Sequence, residues 1–303
     1  MAISRSQLVK ELEPGLNALF GLEYKRYENQ HAEIYSEESS DRAFEEEVML
    51  SGFANAQVKG EGSGVSFDEA QETFTARYTH ETVALAFAIT EEAIEDNLYD
   101  RLASRYTKAL ARSMSNAKQV KAVEPLIQGL PLTDNFDSGD GVSLFNTSHP
   151  TVAGTFSNTL ATPADLNETS LEQSMIDISS MTDERGLRIA ARGVKMIIPS
   201  ELQFTAERLM KSQGRTGTAD NDINAIVSMG MVPQGYRVNN YLTDSDAYYI
   251  LTDIPNGMKM FNRAPLTTAM EGDFDTGNVR YKARERYSFG VSDPRGIYGV
   301  AGA

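Results

Sequence analysis

The sequence predicts an α+β protein built along one long helix, and three observations carry that reading. Over residues 90–129 an apolar row recurs at helical spacing: Ile94, Leu98, Leu102, Tyr106, Leu110 and Met114. Residues 48–78 hold two strand-like runs around a tip with Gly60, Gly62 and Gly64. Residues 280–291 alternate, with Arg280, Lys282, Arg284 and Arg286 on one side and Tyr281, Ala283, Tyr287 and Phe289 on the other. Glu285 breaks the apolar side.

The helix has its own start and stop signals. Thr90 is an N-cap type, able to accept from an orphan backbone N–H. Glu91, Glu92, Glu95 and Asp96 crowd the first turns, and Arg101, Arg105, Lys108, Arg112, Lys118 and Lys121 follow, the gradient that the helix dipole favours. Pro125 and Gly129 punctuate the end. Such a helix spans roughly 50–55 Å, more than a compact domain needs. It reads as a spine.

Composition bounds the rest. A chain of 303 residues makes two domains or one large one. With no Cys, disulfides and thiolate metal sites are excluded, and three histidines make a multi-histidine metal site an unfavoured reading. MAISRSQLVKELEPGL lacks the apolar core of a signal peptide, and no run reaches transmembrane length. A net charge of −15 argues against a protein built mainly to grip nucleic acid, though not against a surface that faces DNA.

In chain order, residues 1–47 read as an arm. Leu8, Leu12, Leu16, Leu19 and Phe20 suggest a short amphipathic helix, interrupted at Pro14-Gly15. Five basic and eleven acidic residues up to Glu47 give the opposite sign to a nucleic-acid tail. The ribbon over 48–78 exposes Phe53, Val58, Lys59, Val65, Phe67 and Phe74, and a two-stranded ribbon alone in water needs something to lie on. It either folds back on its own domain or reaches over a neighbouring subunit. Residues 82–89 form a strand with Val83, Leu85, Phe87 and Ile89 on one face.

Residues 130–165 are rich in turn formers. A helix follows from Asn167, its stripe Leu171, Met175, Ile178 and Met181, its end Gly186. Residues 194–198 make a strand, and Pro199-Ser200-Glu201 starts another helix. A polar loop over 214–222, a short helix over 224–230 and strands over 235–242 and 247–252 complete a small α+β unit. The basic side of 280–291 meets an acidic protein surface, an adjacent subunit for one, or solvent.

Little here suggests catalysis. Ser148-His149 invites a hydrolase reading, but a triad needs a Ser and His brought together with a carboxylate, and no G-x-S-x-G elbow is present. A turn closed by Pro150 explains the pair better. The run from Asp134 to Asp140 has the composition of a calcium loop without its spacing, and reads as a solvated turn. No catalytic residue, cofactor or metal is expected.

The order of parts resembles a tailed-phage major capsid protein of the Hong Kong 97-type fold. Local wording agrees: SLFNTSHPT, then LEQSMIDISSMTDERGL, then GVKMIIPSELQFTAERLMKS, then YLTDSDAYYIL resemble segments of the major head subunits of Mu-like phages. The strong wording is confined to about 144–252. The resemblance implies an arm over 1–47, an extended loop over 48–82, a peripheral domain from 83–130 and 262–303, and an axial domain from 131–261. It implies hexamers and pentamers closing into an icosahedral shell around double-stranded DNA, with the DNA on the inner face. It also implies a scaffolding protein, a portal, a decoration or cement protein, no membrane partner, assembly in the host cytoplasm and residence in the virion. Some relatives join subunits through a Lys–Asn bond; no cross-link is expected here. Two rivals stay open: a nanocompartment shell of the same fold, and a soluble Ser-dependent hydrolase.

Overall fold

The computed structural model describes residues 5–90, 92–93, 99–130, 136–214, 223–273 and 277–303. The expected spine is there as a 30-residue helix, α2 (Tyr99–Gln128), about 45 Å long. Its buried positions, Ala103, Thr107, Leu110, Ala111, Met114, Ser115, Gln119, Ala122, Val123 and Leu126, follow helical spacing along its length. Residues 94–98, and with them Ile94, Leu98 and two of the early acids, lie outside the described residues, as does Glu91. Thr90 does accept from Ala93 N at 3.4 Å. Tyr106 is a correction: it stands half out of the protein, with its ring beside Phe87 at the edge of the core.

Two prolines expected to break helices do not. Helix α1 (Arg5–Arg26) runs through Pro14, and α2 runs through Pro125. A proline forgoes one i to i−4 hydrogen bond and disfavours the helix by about 3 kcal/mol. Packing offsets that: Leu16 and Phe20 of α1 are buried with Ala103, Leu110, Ala111 and Met114 of the spine. The spine ends before Gly129, where only glycine fits, since a Cβ there would lie 2.6 Å from Leu144 Cβ.

Four strands form the first sheet: β1 (Ser36–Ser39), β4 (Glu81–Ile89), β10 (Met258–Gly272) and β11 (Val279–Val291), in the order β1-β10-β11-β4. α1 and the spine cover one face of it. The ribbon is β2 (Phe44–Leu50) with β3 (Glu72–Thr79), and a short hairpin joins β5 (His149–Thr151) to β6 (Gly154–Phe156). The second sheet has the order β12-β9-β7-β8, from β7 (Gly193–Ile198), β8 (Tyr236–Val238), β9 (Tyr248–Thr252) and β12 (Ile297–Val300). Helices α3 (Glu168–Ser180), α4 (Gln203–Lys211) and α5 (Ala225–Ser228) share its core. β8 and β9 follow each other in sequence but each pairs with β7. Residues 297–300 leave the first sheet and pair with β9, so the last residues tie the two halves together.

Three smaller expectations change. α3 starts at Asn167 with a reciprocal capping box to Ser170, but it ends at Ser180, well before Gly186. Asp183 accepts from Arg185 N and Leu187 N, which turns DERG into a tight loop. α4 is preceded by a 3-10 turn, Ser200–Leu202, so the helix proper begins at Gln203. Leu85 points into solvent although Val83, Phe87 and Ile89 face the protein. The polar loop expected over 214–222 lies, but for residue 214, outside the described residues.

Candidate subunit interface

The base of the ribbon is clamped to the body. Ala76 and Tyr78 pack on Phe261, with Tyr78 edge-on at 4.7 Å, and Tyr78 Oη meets Ser292 Oγ. Lys259, almost fully buried, reaches Glu47 at 2.6 Å and Glu38 at 3.2 Å. Burial alone lowers the Lys259 ammonium pKa, but these two carboxylates outweigh it and raise it. At the corner between β3 and β4, His80 lies between Ser40 Oγ and Ser288 Oγ.

Above that base the ribbon stops being a sheet. The sequence suggests strands up to the glycine tip; pairing ends at Leu50 and Glu72. The alternation in ANAQVKGEGSGVSFDEAQ is short and carried mostly by small residues, and three glycines interrupt it, so register is weakly specified there. A few tethers remain: Ser51 N to Gln71 O, Ala54 N to Asp68 Oδ2, and the Arg185 guanidinium to Glu69 O. Every residue from 52 to 72 is exposed. Val58 is 99% exposed and Phe67 94%, and Phe53, Val65 and Lys59 are out as well. Phe74 differs: it lies within β3 and is half-buried. The exposed stretch carries Lys59 against Glu61, Asp68, Glu69 and Glu72.

The second surface is β11. Its alternation holds: Tyr281, Ala283, Glu285 and Tyr287 are buried, and Arg280, Lys282 and Arg284 are exposed. The register places small residues beside the cations. Ala88, Ala86 and Ala84 of β4 lie opposite Arg280, Lys282 and Arg284, and Ala269 and Thr267 of β10 flank the last two. The outcome is a basic row over small residues, with Glu271 of β10 beside Arg280 at one end. Arg280 pairs with Asp273 at 2.6 Å. Lys282 and Arg284 have no carboxylate within ion-pair distance among the described residues. Arg286 departs from the row: it is half-buried, and its Nε is buried without a partner.

Glu285, the odd residue of the inward face, has a partner on the spine. Its carboxylate lies 3.6 Å from Lys118 Nζ, and Tyr24 Oη donates to it at 3.4 Å. Burial raises its pKa, with Lys118 opposing.

Two buried polar knots are absent from the sequence reading. Asp140 is no solvated turn residue: its Oδ2 accepts from His149 Nδ1 at 2.6 Å, and its side chain is buried. Burial raises its carboxyl, but hydrogen bonds from His149 and Ser138 hold it below the usual range. His149 Nε2 faces Asn158 Oδ1 at 3.0 Å, while Asn158 Nδ2 donates to Leu144 O and Pro294 O. Both ring nitrogens of His149 are therefore occupied, and Ser148 is exposed with its N–H on Asn146 Oδ1. This geometry does not make Ser148 and His149 a nucleophile–base pair. The second knot is Arg295, with Glu184 at 2.6 Å, Asp293 at 3.3 Å and Thr182 O at 2.8 Å. Among the described residues no group of acids and histidines has the arrangement of a metal site, and no helix is long and apolar enough to cross a membrane.

Comparison with known proteins agrees with this architecture. The family model described as phage capsid protein matches residues 72–300. No curated protein sequence matches. Among solved structures, the capsid of a native GTA particle is 13% identical, with 90% of this chain and 89% of that chain covered and a TM-score of 0.57. A virus-like particle from Pyrococcus furiosus is 10% identical, covering 95% and 98%, with a TM-score of 0.54. The capsid of Myoviridae phage XM1 is 12% identical, covering 89% of each chain, with a TM-score of 0.52. At such identities the likeness is one of fold. Together with the family match over 229 of 303 residues, it makes this chain a member of the phage capsid protein family, a major capsid shell protein of the Hong Kong 97-type fold.

Proposed function

We propose that copies of this chain form hexamers and pentamers that close into an icosahedral shell around double-stranded DNA, and that residues 51–71 of each copy lie over a neighbour. The observation that carries this reading is the exposure of Phe53, Val58, Val65 and Phe67 on a stretch without a sheet of its own. Covering a large apolar side chain is worth roughly 1.5–3 kcal/mol, so four contribute at most about 6–12 kcal/mol per copy. Interfaces that permanent need large areas, and heterologous contacts that close make rings.

The basic row is the second contact. Arg280, Lys282 and Arg284 stand over alanines, which leaves room for an incoming chain. The acids of the ribbon stretch, Glu61, Asp68, Glu69 and Glu72, have the matching sign. A neighbour's ribbon on this row needs no cofactor and no catalysis, consistent with a purely structural protein. Residues 83–130 and 262–303 serve as the peripheral domain and 131–261 as the axial domain, with 297–300 crossing over to the axial sheet. A scaffolding protein, a portal and a decoration or cement protein act as partners, and assembly takes place in the host cytoplasm. Among such subunits it is of the Mu-like kind, on the wording of residues 144–252.

Replacing residues 53–70 by a short Gly-Ser turn tests the reading. The variant is expected to stay folded by circular dichroism and to sediment as small species, while the intact chain gives megadalton particles with nuclease-protected DNA. Particles of normal size from the variant would overturn it.

A further inference from the structure

The arm is tied to the spine by a histidine whose surroundings admit only one protonation state. His31 lies in the 3-10 turn Gln30–Glu33 and is 5% exposed. Its backbone N–H donates to Gln119 Oε1 at 3.0 Å. That bond fixes which way the Gln119 amide points. The amide nitrogen Nε2 then faces His31 Nδ1, also at 3.0 Å. An amide NH₂ can only donate, so Nδ1 must accept and carry no proton. Protonation there would set two donors against each other.

The other neighbours favour the same state. Phe289 of β11 packs edge-on at 5.9 Å, and Lys118 of the spine adds a positive charge, opposed by Glu37 of β1. Burial first, and Lys118 second, push the imidazole down to about 4. The two other histidines are set differently. His80 lies between Ser40 Oγ, which donates to Glu45 and so accepts from Nε2, and Ser288 Oγ, whose hydroxyl can turn to meet either form of Nδ1, with Arg286, Arg263 and Glu45 as the charges around it. His149 faces acceptors on both nitrogens, Asp140 Oδ2 and Asn158 Oδ1.

We infer that the His31–Gln119 contact is an acid-released latch, holding the arm on the spine at neutral pH and loosening residues 28–38 on acidification while the knot around His149 stays closed. The sign follows from the neutral form being the bound one. Stabilisation is full above the ordinary histidine value of 6.5 and is lost as pH falls towards about 4. Other ties limit the release to loosening: Tyr35 Oη donates to Ala122 O at 2.6 Å, and Lys195 pairs with Glu33 at 2.8 Å.

Hydrogen exchange on the full chain, corrected for intrinsic rates, tests this. Between pH 7 and pH 5, protection of residues 28–38 should fall about 20-fold, from the shift of 6.5 to about 4. The Asn158 amide, bonded to Asn146 O, should keep its protection. His31→Asn puts an acceptor oxygen where Nδ1 stands, and should remove the pH dependence. Gln119→Glu replaces the amide donor by a carboxylate, and should protect residues 28–38 better than wild type at pH 5. Equal protection of the wild-type segment at both pH values would overturn the latch. So would a fall in either variant as large as that of wild type.

Discussion

Residues 52–72 and residues 291–302 sit at opposite extremes of the same chain. In the first stretch every residue is exposed; in the second every residue is buried. Both are turn-rich and both mix apolar with charged residues. The difference lies in where their partners are. In 291–302 the charge of Arg295 meets Glu184 and Asp293, and Ile297, Tyr298 and Val300 fill the two cores. In 52–72 the phenylalanines and valines join no core, and most of the hydrogen bonds return to the stretch itself or its base. One stretch completes the subunit. The other is complete only when the shell is, on the function proposed above.

That contrast can be broken in order of expected effect on the isolated subunit. Arg295→Ala leaves Glu184 and Asp293 as buried carboxylates without their cation, and should cost roughly 3–5 kcal/mol in denaturant unfolding. A loss under about 1 kcal/mol would mean that the knot is not what holds the carboxyl-terminal stretch. Gly299→Ala comes next, because its Cβ would lie 2.5 Å from the Phe145 ring. Overpacking of this kind should cost about 1–3 kcal/mol, read as a lower midpoint at unchanged slope. The paired change Val58→Ser with Phe67→Ser should move subunit stability by no more than about 0.5 kcal/mol, as exposed sites do. Its effect should appear in sedimentation as lost or delayed particles. Smallest for the subunit is Lys282→Glu with Arg284→Glu, also within about 0.5 kcal/mol. Its particles should form more slowly, and the deficit should shrink as salt screens the like charges.

The two stretches also differ in how much of them a sequence can convey. The alternation in RYKARERYSFGV was enough to place three cations on one face of β11, because period two is a local property of strands. Exposure of Phe53, Val58, Val65 and Phe67 was legible because a two-stranded ribbon around a glycine tip has no layer of its own to cover them. The extent of the ribbon was not: pairing needs a register, and only the fold shows that it ends at Leu50 and Glu72. Asp140 looked like a loop acid until His149, nine residues on, was folded against it. Arg295 and Glu184 are 111 residues apart, and no spacing rule connects them.

What the chain alone determined is whatever repeats within a few residues: the spine from its row of apolar positions, the half-buried β11, the capped start of α3, and the order of parts that marks the family. What the tertiary structure alone decided is whatever depends on distant neighbours. Pro14 and Pro125 remain helical because their helices are packed, Glu285 is tolerated inside because Lys118 arrives from the spine, and His31 is held neutral because it is buried beside Lys118, with Gln119 turned by a backbone N–H to donate to it. Local rhythm states which face a residue prefers, and long-range packing then sets the free energy of keeping it there.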